Sequence, residues 1–128
     1  DSAATDPFVL QAVGEISAAA SSGEAVVLAA ADAIDRLVDQ GRQHDSDAVA
    51  DVAVTVARAQ LTAERLTISA AERLFDTGGA SATARALNLD RHWRNARTIA
   101  GHSPLAYKAY AADNYAVNGT WPPGNGYF

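Results

Sequence analysis

Apolar positions recur at alternating steps of four and three through Val9, Val13, Ile16, Ala20, Gly23, Val27, Ala30, Ile34 and Leu37. A loop at Ser21, Ser22 and Gly23 would reset that phase, so the spacing predicts one amphipathic helix from about Pro7 to Gln40. Asp6 and Pro7 suit its start, and Gly41 suits its end. Gly23 inside it costs about 1 kcal/mol against Ala but lets a neighbour approach closely. Asp45, Ser46 and Asp47 offer caps for a second helix, from about Asp47 to Asp76.

That second helix carries two apolar stripes. Val49, Val52, Val56, Ala59, Ala63, Leu66 and Ala70 form one, while Val54, Leu61, Ile68 and Phe75 fall at intervals of seven on another face. A helix apolar on two faces lies between neighbours rather than on a surface. Only one other long helix is legible, so further helices are expected from elsewhere in a longer chain or from another subunit, with self-association as the consequence.

Thr77, Gly78, Gly79, Ala80 and Ser81 break the pattern. Two glycines open backbone geometry closed to other residues, and Ser81 can cap a short helix from Ala82 to Leu87. Such a turn at a helix start exposes unpaired amides, which suit phosphate in some folds and in most merely end a helix. Asp90 can cap the next helix, Gly101 is expected to stop it, and His102 then falls on the turn beyond. Ser103 and Pro104 start a last helix to about Asn118, which Asn118 and Gly119 close, leaving 119–128 as an extended tail. The ungapped helical pattern leaves no room for a sheet, so the chain reads as an all-α bundle forming one domain, 1–128.

Composition narrows the chemistry. The 128 residues include no Cys and no Met, and the chain begins at Asp1, so it reads as a piece of a longer protein. Without Cys there is no thiolate nucleophile or thiolate metal site. His44, His92 and His102 lack the spacings of a metal helix, so no metal is expected. No apolar run approaches the roughly 20 residues of a membrane helix, and no secretory leader is legible; the expected location is cytoplasmic.

The formal charge of −5 hides a division. Residues 1–84 carry five Arg against thirteen acids, a balance of −8, whereas 85–128 carry four Arg and one Lys against two acids, a balance of +3. Arg91, Arg94 and Arg97 recur every third residue, a stripe that suits an anionic partner or internal carboxylates. The acidic balance and the lack of an aromatic-interleaved basic surface argue against nucleic acid. His102, on a turn, is the candidate acid, base or hydrogen-bond donor; His92, beside Trp93, reads as structural. No catalytic triad or Walker-type loop is present.

Beyond spacing, Ala71–Thr83 (AERLFDTGGASAT), Leu89–Thr98 (LDRHWRNART), His102–Lys108 (HSPLAYK) and Asn118–Pro123 (NGTWPP) resemble the C-terminal helical domain of the acyl-CoA dehydrogenase superfamily. They are most similar to its flavin-dependent monooxygenase branch, the dibenzothiophene monooxygenase-like proteins. The resemblance implies an up-and-down helical bundle, here without its first helix, that follows a β-domain holding the flavin and builds a tetramer. It implies reduced FMN delivered by a separate flavin reductase, with FAD as the alternative cofactor. It also implies oxygen activation as a C4a-(hydro)peroxyflavin and a small-molecule substrate, with sulfur-compound oxidation as the biological setting.

On the matching positions, His102 corresponds to a histidine at the flavin's reactive edge. Gly78, Gly79, Ala80 and Ser81 correspond to a loop that approaches the flavin phosphate or adjoining groups, and Arg91 and Arg94 to arginines that brace the region. The family pattern often has a second histidine where Ile99 stands and an Asp where Ser103 stands; position 92 is aromatic in some relatives. Acyl-CoA dehydrogenases place a glutamate base near this turn, and Ala100-Gly101-His102-Ser103 supplies no carboxylate. The alternatives are an acyl-CoA dehydrogenase domain with its base elsewhere and a non-catalytic helical oligomerisation module. Alone, these 128 residues are expected to bind flavin weakly and to be inactive.

Overall fold

The computed structural model describes residues 2–124. Among them are four α-helices and no strand: α1 Pro7–Asp39, α2 Ser46–Arg73, α3 Asp90–His102 and α4 Leu105–Asn118. Short 3-10 segments occupy Ala3–Thr5, Leu74–Thr77 and Gly79–Thr83. The described residues divide into two compact units, 2–23 with 64–102 and 24–63 with 103–124.

The long helices form as their patterns require. Asp6 Oδ1 accepts from the amides of Phe8 at 2.8 Å and Val9 at 3.3 Å, capping α1 ahead of Pro7. Asp45 Oδ1 accepts from Asp47 and Ala48, both at 3.1 Å, capping α2. Its other oxygen pairs with Arg42 at 2.7 Å, and that guanidinium, followed by the Ala48 amide, holds the Asp45 carboxyl below the usual carboxylate range. At the far end Gly119, at φ 67°, closes α4 by donating its amide to the Tyr115 carbonyl at 3.0 Å.

The covered side of α1 differs from the expected seam. Val9, Ile16, Gly23, Ala30 and Leu37 are covered, but the residues between them are Ala12, Ala19, Val26 and Ala33. Val13, Ala20, Val27 and Ile34 stand exposed instead. The reason is size. Among the described residues every buried apolar side chain except Val54 is an alanine, so the helices meet over small residues while larger aliphatics flank the contact. Leu10 and Val13 are thereby left open in the first unit, and Val27, Leu28, Ile34 and Val38 in the second.

On α2 the two-faced reading holds. Val54 is buried, and Leu61, Ile68, Phe75, Val52, Val56 and Leu66 are half-buried; only Val49 of the expected stripes is exposed. One polar stripe, Asp51, Thr55, Arg58, Thr62, Arg65, Ser69 and Glu72, remains exposed. In the second unit Tyr115 on α4 donates its hydroxyl to Asp51 at 2.7 Å, which raises the Tyr115 pKa.

Three expected boundaries are corrected. Helix α2 ends at Arg73, and Leu74–Thr77 continue it as a tighter 3-10 turn. No α-helix runs from Ala82 to Leu87: Gly79–Thr83 is a 3-10 turn containing Ser81, Ala84 is extended, and Asn88 is left-handed at φ 48°. A six-residue stretch interrupted at Ala84 and ended by Asn88 is too short to sustain an α-helix. Finally, Gly101 does not stop α3, which runs on to His102. The last four positions of the expected tail, 125–128, lie outside the described residues, and 119–124 have no regular structure.

Candidate functional site

The sequence candidates fall in the first unit, on two elements. His102 is the last residue of α3 rather than part of a following turn, and it is exposed. Gly78, Gly79, Ala80 and Ser81 lie at and within the 3-10 turn, and all four are exposed. Among the described residues no hydrogen bond joins the two groups.

Helix α3 has a definite orientation. With about 100° between successive residues, Leu89 just before it and Trp93, Ala96 and Ala100 within it share one side. Leu89, Ala96 and Ala100 are half-buried, and Trp93 is 37% exposed. The Trp93 indole N–H donates to Glu72 Oε1 on α2 at 3.3 Å. Arg91, Asn95, Thr98 and His102 lie on the opposite side, all exposed, and neither His102 nor Arg91 has a side-chain partner among the described residues.

The arginine stripe divides into separate roles. Arg94 Nε pairs with Asp90 at 3.1 Å, and its Nη2 donates to Asn88 Oδ1 at 2.9 Å, so Asp90 anchors Arg94. Arg97 forms no ion pair among the described residues and acts on Glu64 of α2 only through its charge. Burial raises the Glu64 carboxyl above its ordinary value and Arg97 pulls it the other way; its buried Oε1 has no hydrogen-bond partner.

A cluster that sequence reasoning missed lies beside Gly79. Arg73 on α2 donates from Nε to Glu15 of α1 and pairs through Nη1 with Asp76 at 2.7 Å. Gln11 Nε2 donates to Glu15 at 2.9 Å. The Arg73 and Gln11 hydrogen bonds hold the Glu15 carboxyl below its ordinary value, and both carboxylates push the Arg73 pKa upward. The Arg73–Asp76 spacing was legible locally; Glu15 is 58 positions away and looked like a solvated acid. Gln11, Arg73 and Asp76, with Phe8, Ala12, Phe75 and Gly79, line an open cleft of about 520 Å3. Its one guanidinium, Arg73, is already engaged by Glu15 and Asp76, which makes that cleft a poor anion site.

The Gly78–Ser81 turn has its own geometry. Gly79 is left-handed at φ +54° with open space around its Cα, whereas a Cβ on Gly78 would meet Ala82 Cβ at 3.1 Å. Gly79 therefore offers close backbone approach from outside, while Gly78 is required by packing on the buried Ala82. The Ser81 hydroxyl has no partner among the described residues.

Four α-helices and no strand among the described residues define an all-α domain. Residues 1–107 match the model of the acyl-CoA dehydrogenase C-terminal domain, and the chain belongs to that family. It is 32% identical over 121 residues to a Pseudomonas putida protein named probable FMNH2-dependent monooxygenase SfnC, covering 94% of this chain and 31% of that one. The structure superposes on dibenzothiophene monooxygenase TdsC from Paenibacillus sp. A11-2 with a TM-score of 0.88 at 32% identity, covering all of this chain and 33% of that one. TdsC has also been solved bound to FMN. Methanesulfinate monooxygenase MsuC from Pseudomonas fluorescens gives a TM-score of 0.86 at 33% identity over 98% of this chain and 33% of its own. The chain thus spans about a third of the length of these relatives.

Proposed function

We propose that this chain is the C-terminal domain of a reduced-flavin-dependent monooxygenase acting on a sulfur compound, with His102 as the residue that meets the flavin's reactive edge. The observation that carries the reading is the placement of His102. It ends α3, exposed and without a partner, on the side opposite the Trp93–Glu72 contact. The similarity to monooxygenases, one of them solved with FMN, supports it.

Bound reduced FMN would supply the oxygen-activating chemistry. His102 contributes an imidazole that donates a hydrogen bond from one nitrogen and accepts at the other, so it can hold or move a proton at the flavin edge. Gly79 lets the ligand approach backbone, and Ser81 donates from its hydroxyl; Gly78 and Ala80 shape the turn. Arg94, already committed to Asp90 and Asn88, braces the start of α3.

A flavin reductase supplies the cofactor in this reading, and the protein works in the cytoplasm. The exposed aliphatics of α1 receive further helices of the same protein or of its copies in a homotetramer. Among the described residues no helix is long and apolar enough to cross a membrane.

The test is turnover by the full-length protein supplied with reduced FMN, oxygen and a sulfur substrate. Oxygenated product supports the proposal. Electron transfer from an acyl-CoA to an acceptor dye, without oxygenation, replaces it with a dehydrogenase.

A further inference from the structure

We infer that a cleft between the start of α2 and the 121–124 segment binds a small planar aromatic carboxylate. The cleft belongs to the second unit, which holds neither His102 nor Gly78–Ser81, so it stands apart from the flavin reading. Its volume is about 420 Å3, within the several hundred Å3 usual for small organic ligands.

Its apolar lining comes from two segments. Val49, Ala50 and Ala53 contribute from the first turns of α2, and Trp121, Pro122 and Pro123 from the chain beyond α4. Val49 is 40% and Trp121 54% exposed, so both keep apolar surface that the fold leaves uncovered. Two successive prolines fix their own φ and restrict the residue ahead of them to extended backbone. The indole is therefore carried on a stiff segment, which lowers the ordering cost of binding against it. A flat ring suits an indole face and a proline ring.

The polar lining selects the charge. Gln43, His44, Ser46 and Trp121 can each donate a hydrogen bond, and none has a side-chain partner among the described residues. No carboxylate lines the cleft. Asp45, beside His44 in sequence, is engaged by Arg42 and by the amides of Asp47 and Ala48, and Asp51 by Tyr115. Unengaged donors without a competing acid are complementary to a carboxylate. No Lys or Arg lines the cleft either, so a singly charged group fits it better than a phosphate.

The experiment titrates 2-naphthoate calorimetrically into the full-length protein carrying FMN. Saturable binding at one site per chain is expected, with a Kd on the order of 0.1–1 mM. 2-Naphthamide, the same ring system without the charge, should bind roughly tenfold more weakly. Trp121→Ala should weaken 2-naphthoate on the order of tenfold, Trp121→Phe should restore most of that, and His44→Ala should cost roughly fivefold. Val49→Phe, which fills the cleft from an exposed position, should abolish binding, and all four variants should keep their Tm and their affinity for FMN. Absence of saturable binding, equal affinity for the amide, or unchanged affinity in both Trp121→Ala and Val49→Phe would overturn the inference. Binding lost in His102→Ala would move the ligand to the flavin, and binding that appears only when residues 125–128 are removed would make the chain's own end the occupant; either result overturns it as well.

Discussion

Trp93 donates its indole N–H to Glu72 across 3.3 Å, and this bond fixes which side of α3 is left for chemistry. With Trp93 turned to α2, the helical period carries Arg91, Asn95, Thr98 and His102 to the far side. Trp93→Phe keeps most of the packed area and removes the donor, so it should cost about 1 kcal/mol. Glu72→Gln keeps an acceptor and should cost less. A double-mutant cycle on thermal unfolding checks the pair: a coupling indistinguishable from zero would mean that packing alone orients the helix.

The Arg73 cluster predicts an acid-dependent contribution. Glu15 has its carboxyl pKa lowered, so its stabilising effect is present above the ordinary carboxylate value and is lost as pH falls through the lower folded value. Glu15→Gln should therefore have a lower Tm than the unsubstituted protein at pH 7, and the gap should close in acid. A gap constant with pH would assign the effect to packing.

Glu64 has the opposite sign. Its folded pKa is raised above 4.5 by burial, so the folded state keeps that proton to higher pH than the unfolded chain does. This contribution is complete below about 4.5 and is lost as pH rises through the folded value. Glu64→Gln should consequently raise Tm by a few degrees at pH 7 and change little at pH 3. A fall in Tm at pH 7 would show that attraction to Arg97 outweighs the burial.

The two glycines of the 3-10 turn should respond differently. Gly79→Ala places a side chain in a left-handed backbone and should cost about 1 kcal/mol. Gly78→Ala must push against Ala82, because the new Cβ would lie 3.1 Å from that methyl; it should displace the turn and weaken FMN binding to the full-length protein. Thermal unfolding and flavin titration distinguish them, and undiminished flavin affinity in both variants would remove the turn from the proposed site.

Much of this was legible beforehand because it is local. The phase of α1 runs unbroken through Ser21-Ser22-Gly23, and Asp6, Asp45 and Gly119 occupy their terminal positions as their chemistry requires. Which half of an apolar sector is covered is not local: Ala12 won over Val13 because neighbouring helices meet over small side chains. The 82–87 segment misled because the left-handed Asn88 and extended Ala84 are set by chain direction around the turn. Gly101 reads as a stop, yet α3 continues one residue further to His102. The Glu15–Arg73 pair, formed between distant parts of the chain, carried no sequence signal at all.

The central claim is the role of His102, and stopped-flow oxidation of the reduced FMN complex tests it most directly. In the full-length protein, mixing with oxygen should produce a transient flavin absorbance that His102→Ala makes smaller or shorter-lived, with turnover falling on the order of a hundredfold. A transient of unchanged amplitude and lifetime, with unchanged turnover, would contradict the account.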